Sequence, residues 1–287
     1  STDPIWYKVA QASATTSNPG GIVTNTVTSS RLGSAASTMT LSKLGARMIW
    51  TGEMEEDSMV PYVAEMRRQL ITSGAEYLEA AVIDGDTAAG ATTNINYIVG
   101  TPGGLEYFMT VDGFRKLALV TNTANSRDGG VLASTDFLET LKLMGVGGVN
   151  ADKNKTGFII GSAVHFKALE LADVKSKDIF SAATIENGFL SAVYGYPIYI
   201  SHHMHKAATT RLALASGKVD GATPTNGTTG SILAVRWDQW RFGYKRRMTI
   251  ETTRIPAADS TEIVALMRFG LINRDTEAAA ISYNLTV

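Results

Sequence analysis

Apolar side chains return at three- and four-residue spacings through Val60, Val63, Ala64, Leu70, Ile71, Leu78, Ala81 and Val82, the period of a single stripe along a helix. Arg67 and Gly74 interrupt the stripe, while Glu65, Arg68, Gln69, Thr72, Glu76 and Glu79 take the other side. Ser58 stands where an N-cap belongs, and Pro61 falls in the first turn, where its missing N–H costs nothing. Glu55, Glu56 and Asp57 lie at the positive end of the helix dipole. Asp84-Gly85-Asp86 stops the pattern. About 25 residues at ~1.5 Å each make a rod of about 40 Å, long for a globular core and natural for a spine. Gly74 costs about 1 kcal/mol of helix propensity, so close packing or a slight bend is expected there.

A period of two takes over near the C-terminus. Met248, Ile250 and Thr252 alternate with Thr249, Glu251 and Thr253, and Ile263, Ala265, Met267 and Phe269 alternate with Glu262, Val264, Leu266 and Arg268. Residues 257–260 join the two runs, which predicts a long antiparallel hairpin. Between residues 100 and 235 helix and strand patterns alternate. Residues 112–120 and 134–144 read as helices, the second with Ser134 as N-cap, Asp136 in its first turn and Gly145 past its end. Thr156–Gly161 reads as a short buried strand, Ser162 as the cap of a helix over 163–172, and Tyr196–Ser201 as another strand. The first 48 residues are different. They are rich in Thr, Ser, Ala and Gly and nearly uncharged, with strand character over Gly21–Ser29 and Met39–Ile49 and a turn signal at Pro19-Gly20-Gly21. This reads as a projecting two-stranded loop bent between Ser29 and Thr38, with a disordered N-terminal tail as the alternative that composition alone favours. So little apolar surface is marginal alone in water, so the loop is expected to order on a neighbouring subunit.

Composition narrows the function classes. The chain of 287 residues is 44% hydrophobic and 18% charged, with 26 basic against 27 acidic residues and a net charge of -1. Such a balance gives no global attraction for DNA or anionic membranes. The absence of cysteine removes disulfides, thiolate zinc sites and cysteine nucleophiles. No run approaches the roughly 20 apolar residues of a membrane span, and no charged-then-apolar signal pattern opens the chain. Ser1 in place of Met reads as the mark of a cut precursor or a trimmed chain.

Candidate chemistry is sparse. Glu53, Glu55, Glu56 and Asp57 lack the ligand spacing of a calcium loop and read as a solvated helix start. His203 and His205 would share a face if they lay on a strand, a possible two-ligand arm, against the simpler reading of edge histidines. His165, in an apolar helix, reads as a hydrogen-bonded core residue. No P-loop, dinucleotide fingerprint, nucleophile elbow or paired carboxylates appear, so no catalytic, cofactor or metal set is assigned. Trp237, Trp240, Phe242 and Tyr244 interleave with Arg236, Arg241, Lys245, Arg246 and Arg247. Such interleaving fits either single-stranded nucleic-acid stacking or packing within and between subunits.

Three stretches together resemble one family. Leu41–Asp86 is similar to an extended loop, an acidic corner and a spine helix closing in a Gly/Asp-rich turn. Phe158–Met204 is similar to a strand, a helix, a strand carrying Gly195-Tyr196-Pro197-Ile198-Tyr199, and a Ser201-x-x-Met204 ending. Trp237–Tyr283 is similar to a closing segment with Phe242-Gly243, the long hairpin, Arg268-Phe269-Gly270 and Ala278–Ile281. In this order they resemble the major capsid proteins of tailed bacteriophages, the HK-ninety-seven-like fold shared with encapsulins.

The resemblance implies an α+β chain in three parts. Residues 1–48 would be N-terminal arm and extended β-hairpin loop. Residues 49–97 with 236–273 would be a peripheral domain crossed by the spine helix, and 98–235 with 274–287 an axial α/β domain. It implies self-assembly into hexamers and pentamers of an icosahedral shell around double-stranded DNA, located in the virion and built in the bacterial host cytoplasm. Portal, scaffold, maturation protease and decoration proteins are the implied partners, and no membrane. A protease removing an N-terminal segment would account for Ser1. Lys43 lies near the loop base, but no pattern identifies a crosslinking partner. The expected intersubunit contacts are Ile22, Val23 and Val27 in the loop, Arg67 and Arg68 on the spine helix, and Arg246 and Arg247 near the sheet. The alternatives are an encapsulin-type compartment and a single-stranded nucleic-acid-binding protein.

Overall fold

The computed structural model describes residues 38–57, 62–90, 94–96, 103–145, 152, 154–171, 190, 192–205 and 229–287. The strand expected over Gly21–Ser29, with Ile22, Val23 and Val27, lies outside the described residues, as do Ser58, Val60 and Pro61. In chain order the elements are β1 (Ser42–Thr51), α1 (Gly52–Glu56), α2 (Tyr62–Asp84), α3 (Phe114–Lys116, continued by a wider π turn over Leu117–Thr121), β2 (Ser126–Asp128), α4 (Thr135–Leu143) and β3 (Thr156–Ile160). Then follow α5 (Ser162–Glu170), β4 (Ala192–Val193), β5 (Tyr196–Ile200), β6 (Thr229–Arg236), β7 (Trp240–Ile255), β8 (Ser260–Asn273) and β9 (Ala279–Thr286).

β7 and β8 are the long hairpin that the alternation predicts, and β1 adds antiparallel to the other edge of β8, giving the order β1-β8-β7. Asp259 closes the hairpin turn at φ 41°, a left-handed conformation that Asp tolerates better than most residues. Ile263, Ala265, Met267 and Phe269 are buried, while Arg268 on the opposite face is exposed. The buried face meets α2, where Met66 and Leu70 pack with Trp50, Ile263 and Ala265. Gly74 lets that sheet approach closely, since a Cβ there would lie 2.3 Å from Met248 Cε.

The stripe expected on α2 is partly displaced. Ala64 and Ile71 are exposed and Met66 is buried. The line i, i+4 through Met66, Leu70 and Gly74 faces the sheet, and Ile71 lies about 100° round the helix from Leu70. The helix also runs through Asp84, which is buried, so Gly85 rather than Asp84 ends it.

The second sheet has the order β2-β9-β6-β3-β5-β4, with β3–β5 and β2–β9 parallel and the other pairs antiparallel. It is covered on both faces, and β6 shows this by its period: Ile232 and Ala234 enter one core with Phe137, Val164 and Ala168 from α4 and α5. Leu233 and Val235 enter another with Phe114, Leu117 and Ala81. Of the three expected helix caps, the two that fall on described residues need correction. Ser134 makes no capping bond; the Asp136 carboxylate accepts from the Ala133 N–H at 2.8 Å instead. Ser162 is itself the first residue of α5, after an extended Gly161.

Candidate assembly surfaces

The C-terminal end of α2 is tied down by buried charge. Asp84 pairs with Arg115, both buried, and accepts the Asn96 amide on its carbonyl. Asp86, fully buried, accepts Lys116 Nζ at 2.8 Å, Ala88 N at 2.9 Å and Ile95 N at 2.8 Å. Lys116 also reaches Asp112 at 2.7 Å, and Thr87 donates to Asp112 from both N and Oγ1. Burial works against charge on Asp112 and on Lys116, but their mutual hydrogen bond, with those of Thr87 to Asp112 and of Lys116 to Asp86, prevails. The Asp112 carboxyl is held below its ordinary value and the Lys116 ammonium above it. A lysine held so firmly charged is an anchor, not a nucleophile or base. Backbones also meet here: Gly113 N donates to Gly85 O at 2.8 Å.

Residues 202–205 form a 3-10 turn, not a strand, so the strand geometry on which the two-ligand reading of His203 and His205 rested is replaced. Among the described residues no group of three His, Cys, Asp or Glu side chains is placed to hold a metal ion. The turn instead links to α2 through Ser201, whose hydroxyl donates to Glu79 Oε1 at 2.7 Å. His203 is buried, and burial followed by the nearby His202 lowers its pKa against the pull of Glu79, Asp84 and Glu76. His165 is likewise buried, and its pKa is lowered by that burial.

The aromatic run divides. Trp240 is buried edge-on to Phe114 with centroids 4.7 Å apart, and Trp237 contacts Phe114 and Tyr199 at 5.9 and 5.7 Å. Phe242 and Tyr244, in mutual edge contact at 4.7 Å, remain exposed beside a groove of ≈ 440 Å³ under α2. Stacking of successive bases requires several free ring faces. Both tryptophans here are committed to intrachain packing.

The expected contact residues do not form one cluster. Arg67 is exposed and donates to Thr252 Oγ1 at 3.3 Å. Arg68 grips Glu65 along the helix at 2.6 Å; that bond, with one from Gln69, holds the Glu65 carboxyl down at about 2. Arg246 pairs with Glu251 at 2.8 Å, and Arg247 is exposed. Arg246 lines a groove of ≈ 350 Å³ with Lys43 and Arg268. Sequence reading missed Arg268 as a contact candidate, although its place on the polar side of the β8 alternation was the available signal.

No protein-family model and no curated protein matches the chain. Solved structures do. A chain of Gordonia phage Cozz is 16% identical, with a TM-score of 0.60 over 99% of this chain and 81% of that one. The capsid of a native GTA particle computed with C5 symmetry gives 16% identity and a TM-score of 0.59, covering 93% of this chain and 81% of that one. The mature capsid of bacteriophage PhiM1 gives 12% and 0.53, covering 96% and 80%. At such identities the likeness is one of fold: this chain has the mixed helix-and-sheet fold of phage capsid structures.

Proposed function

We propose that the chain is a structural major capsid protein, assembling into hexamers and pentamers of an icosahedral shell that encloses double-stranded phage DNA. The observation that carries this reading is the match of nearly the whole chain, 93% and 96% of it, to the capsids of a GTA particle and of bacteriophage PhiM1. A fold does not by itself fix a function, but the physical features agree. One face of the three-stranded sheet is covered by α2, while on the other Lys43, Arg246 and Arg268 are exposed and residues 39–41 lie over Gly270 at one end. No described helix is long and apolar enough to cross a membrane.

In this reading residues 49–97 with 236–273 form the peripheral domain around α2, the spine helix. Residues 98–235 with 274–287 form the axial domain around the six-stranded sheet, and residues 1–48 supply arm and loop. The last residues of that loop belong to β1 and pair with β8, so the loop is rooted in the peripheral sheet. The shell wall is near neutral, surrounding DNA without gripping it. Portal, scaffold, maturation protease and decoration proteins are the partners of such a shell, whose assembly belongs to the bacterial cytoplasm.

Negative-stain electron microscopy with sedimentation of the full chain tests the reading. Closed shells or capsomer rings of uniform size are expected; a monodisperse monomer at high concentration overturns it. Shells filled with a co-purifying protein rather than DNA would move the role to a compartment.

A further inference from the structure

We propose that the face of the three-stranded sheet turned away from α2 carries, at its exposed cation row, a head-to-tail contact between copies of this chain. In it Lys43, Arg246 and Arg268 of one copy receive Glu53, Glu56 and Asp57 of the next. The inference rests on the shell-forming reading and names the surfaces through which two copies meet.

Lys43 and Arg268 are direct partners across β1 and β8, and Arg246 and Arg268 across β7 and β8. Directly opposite residues share a face with Cβ atoms about 5 Å apart, and like charges so placed repel. Three strands thus set three exposed cations in one row, lining a single groove together with Leu41 and Leu266. Among the described residues Arg246 alone of the three has a carboxylate partner, Glu251, and that pair is exposed. Among the described residues no carboxylate pairs with Lys43 or Arg268. Glu251 is then, among the described residues, the one carboxylate set against three mutually repelling cations, and an anionic surface from a second copy would relieve the rest.

The chain carries such a surface. At the other end of β1, in and just after α1, Glu53, Glu56 and Asp57 are exposed, and no described cation pairs with any of them. Met54 among them is 47% exposed. Acidic residues around one apolar side chain complement cations around two leucines. Lys43 and Gly52 are separated by nine strand steps, about 30 Å, so the two patches of one chain cannot meet, whereas those of successive copies can. Because the patches differ, the contact is heterologous and closes into a ring when its rotation closes, as a capsomer requires. Nucleic-acid phosphate is the weaker occupant: three cations make a short row rather than an extended track, and that reading gives the acidic turn no part.

The test uses the full-length chain in three variants: Lys43→Glu with Arg268→Glu; Glu53→Lys with Glu56→Lys and Asp57→Lys; and all five together. Circular dichroism and the urea midpoint establish that each variant folds. Each reversed patch is expected to lower the fraction of chain sedimenting as rings or shells by about tenfold, and the fully reversed chain to recover to within about threefold of the parent. If both half-reversed chains assemble like the parent, or full reversal rescues nothing, the contact is wrong and the shell reading survives. If the parent itself never assembles, both fall together. Normal shells from the groove variant with lost salt-sensitive retention of double-stranded DNA would make the groove a phosphate site and overturn the contact.

Discussion

Lys116 is the residue on which the end of the long helix depends. Its ammonium bridges Asp86, which is fully buried, and Asp112, which is half open to water. Lys116→Met keeps much of the aliphatic stem but leaves Asp86 buried without its cation. Breaking a buried pair from one side costs about 3 kcal/mol, which urea unfolding at neutral pH should read. The pH dependence has a definite sign. The folded Asp112 carboxyl lies below its ordinary value, so its contribution is present above about pH 4 and is lost as pH falls through the folded value. Lys116 is raised, so its contribution is present below about pH 10.4 and is lost as pH rises through the folded value. In Lys116→Met the Asp112 carboxyl loses its principal hydrogen-bond donor, and acid unfolding followed by circular dichroism should begin at higher pH than in the parent. An unchanged acid limb would show that Thr87 alone holds Asp112 down.

At the scale of elements, two glycines on the helix route separate close packing from backbone contact. A Cβ at Gly113 would lie 2.6 Å from the Val82 carbonyl oxygen and 2.7 Å from Gly85 N, both main chain. A Cβ at Gly74 meets the flexible tip of Met248 at 2.3 Å, with Met267 Cε in ordinary contact at 3.6 Å. Gly113→Ala is expected to destabilise by about 3 kcal/mol. Gly74→Ala should stay within about 1 kcal/mol of the parent, because the gain in helix propensity offsets the displaced methionine. Thermal unfolding of both variants side by side checks the order; equal losses would contradict it. These contacts also mark what sequence could and could not reveal. Periods of 3.6 and 2 announced α2 and the β7–β8 hairpin because their burial is one-sided. The exposure of Ile71 was hidden, since the sheet, not the helix's own apolar content, selects the buried sector. Ser134 failed as a cap because its backbone is already helical, at φ -59° and ψ -31°, and the Asp136 N–H it would accept bonds the Ala133 carbonyl at 3.1 Å. The cation row was invisible because it is a product of register: Lys43 and Arg268 are 225 positions apart and meet only when β1 pairs with β8.

On the scale of the whole molecule, assembly and folding should be separable. Residues 39–287 form one compact unit, and its clusters around Ile263, Ile281 and Phe158 draw on residues beyond position 39. A chain begun at Met39 is therefore expected to fold with a urea midpoint close to the full-length value. If residues 1–38 act as arm and loop on a neighbour, as proposed, the shortened chain should fail to form closed shells. Arg67→Glu probes the same separation from within α2. Its side chain is exposed and its described bond is to the Thr252 hydroxyl, so stability should change by less than about 1 kcal/mol, as for most surface substitutions. Shell yield should nevertheless fall, because a reversed charge on the proposed spine helix is repeated at every copy and small contact losses multiply across a closed shell. Sedimentation of both variants against the parent distinguishes the cases. Normal shells from the shortened chain would remove the arm from the assembly mechanism, and normal shells from Arg67→Glu would show that this face of α2 meets solvent rather than a neighbour.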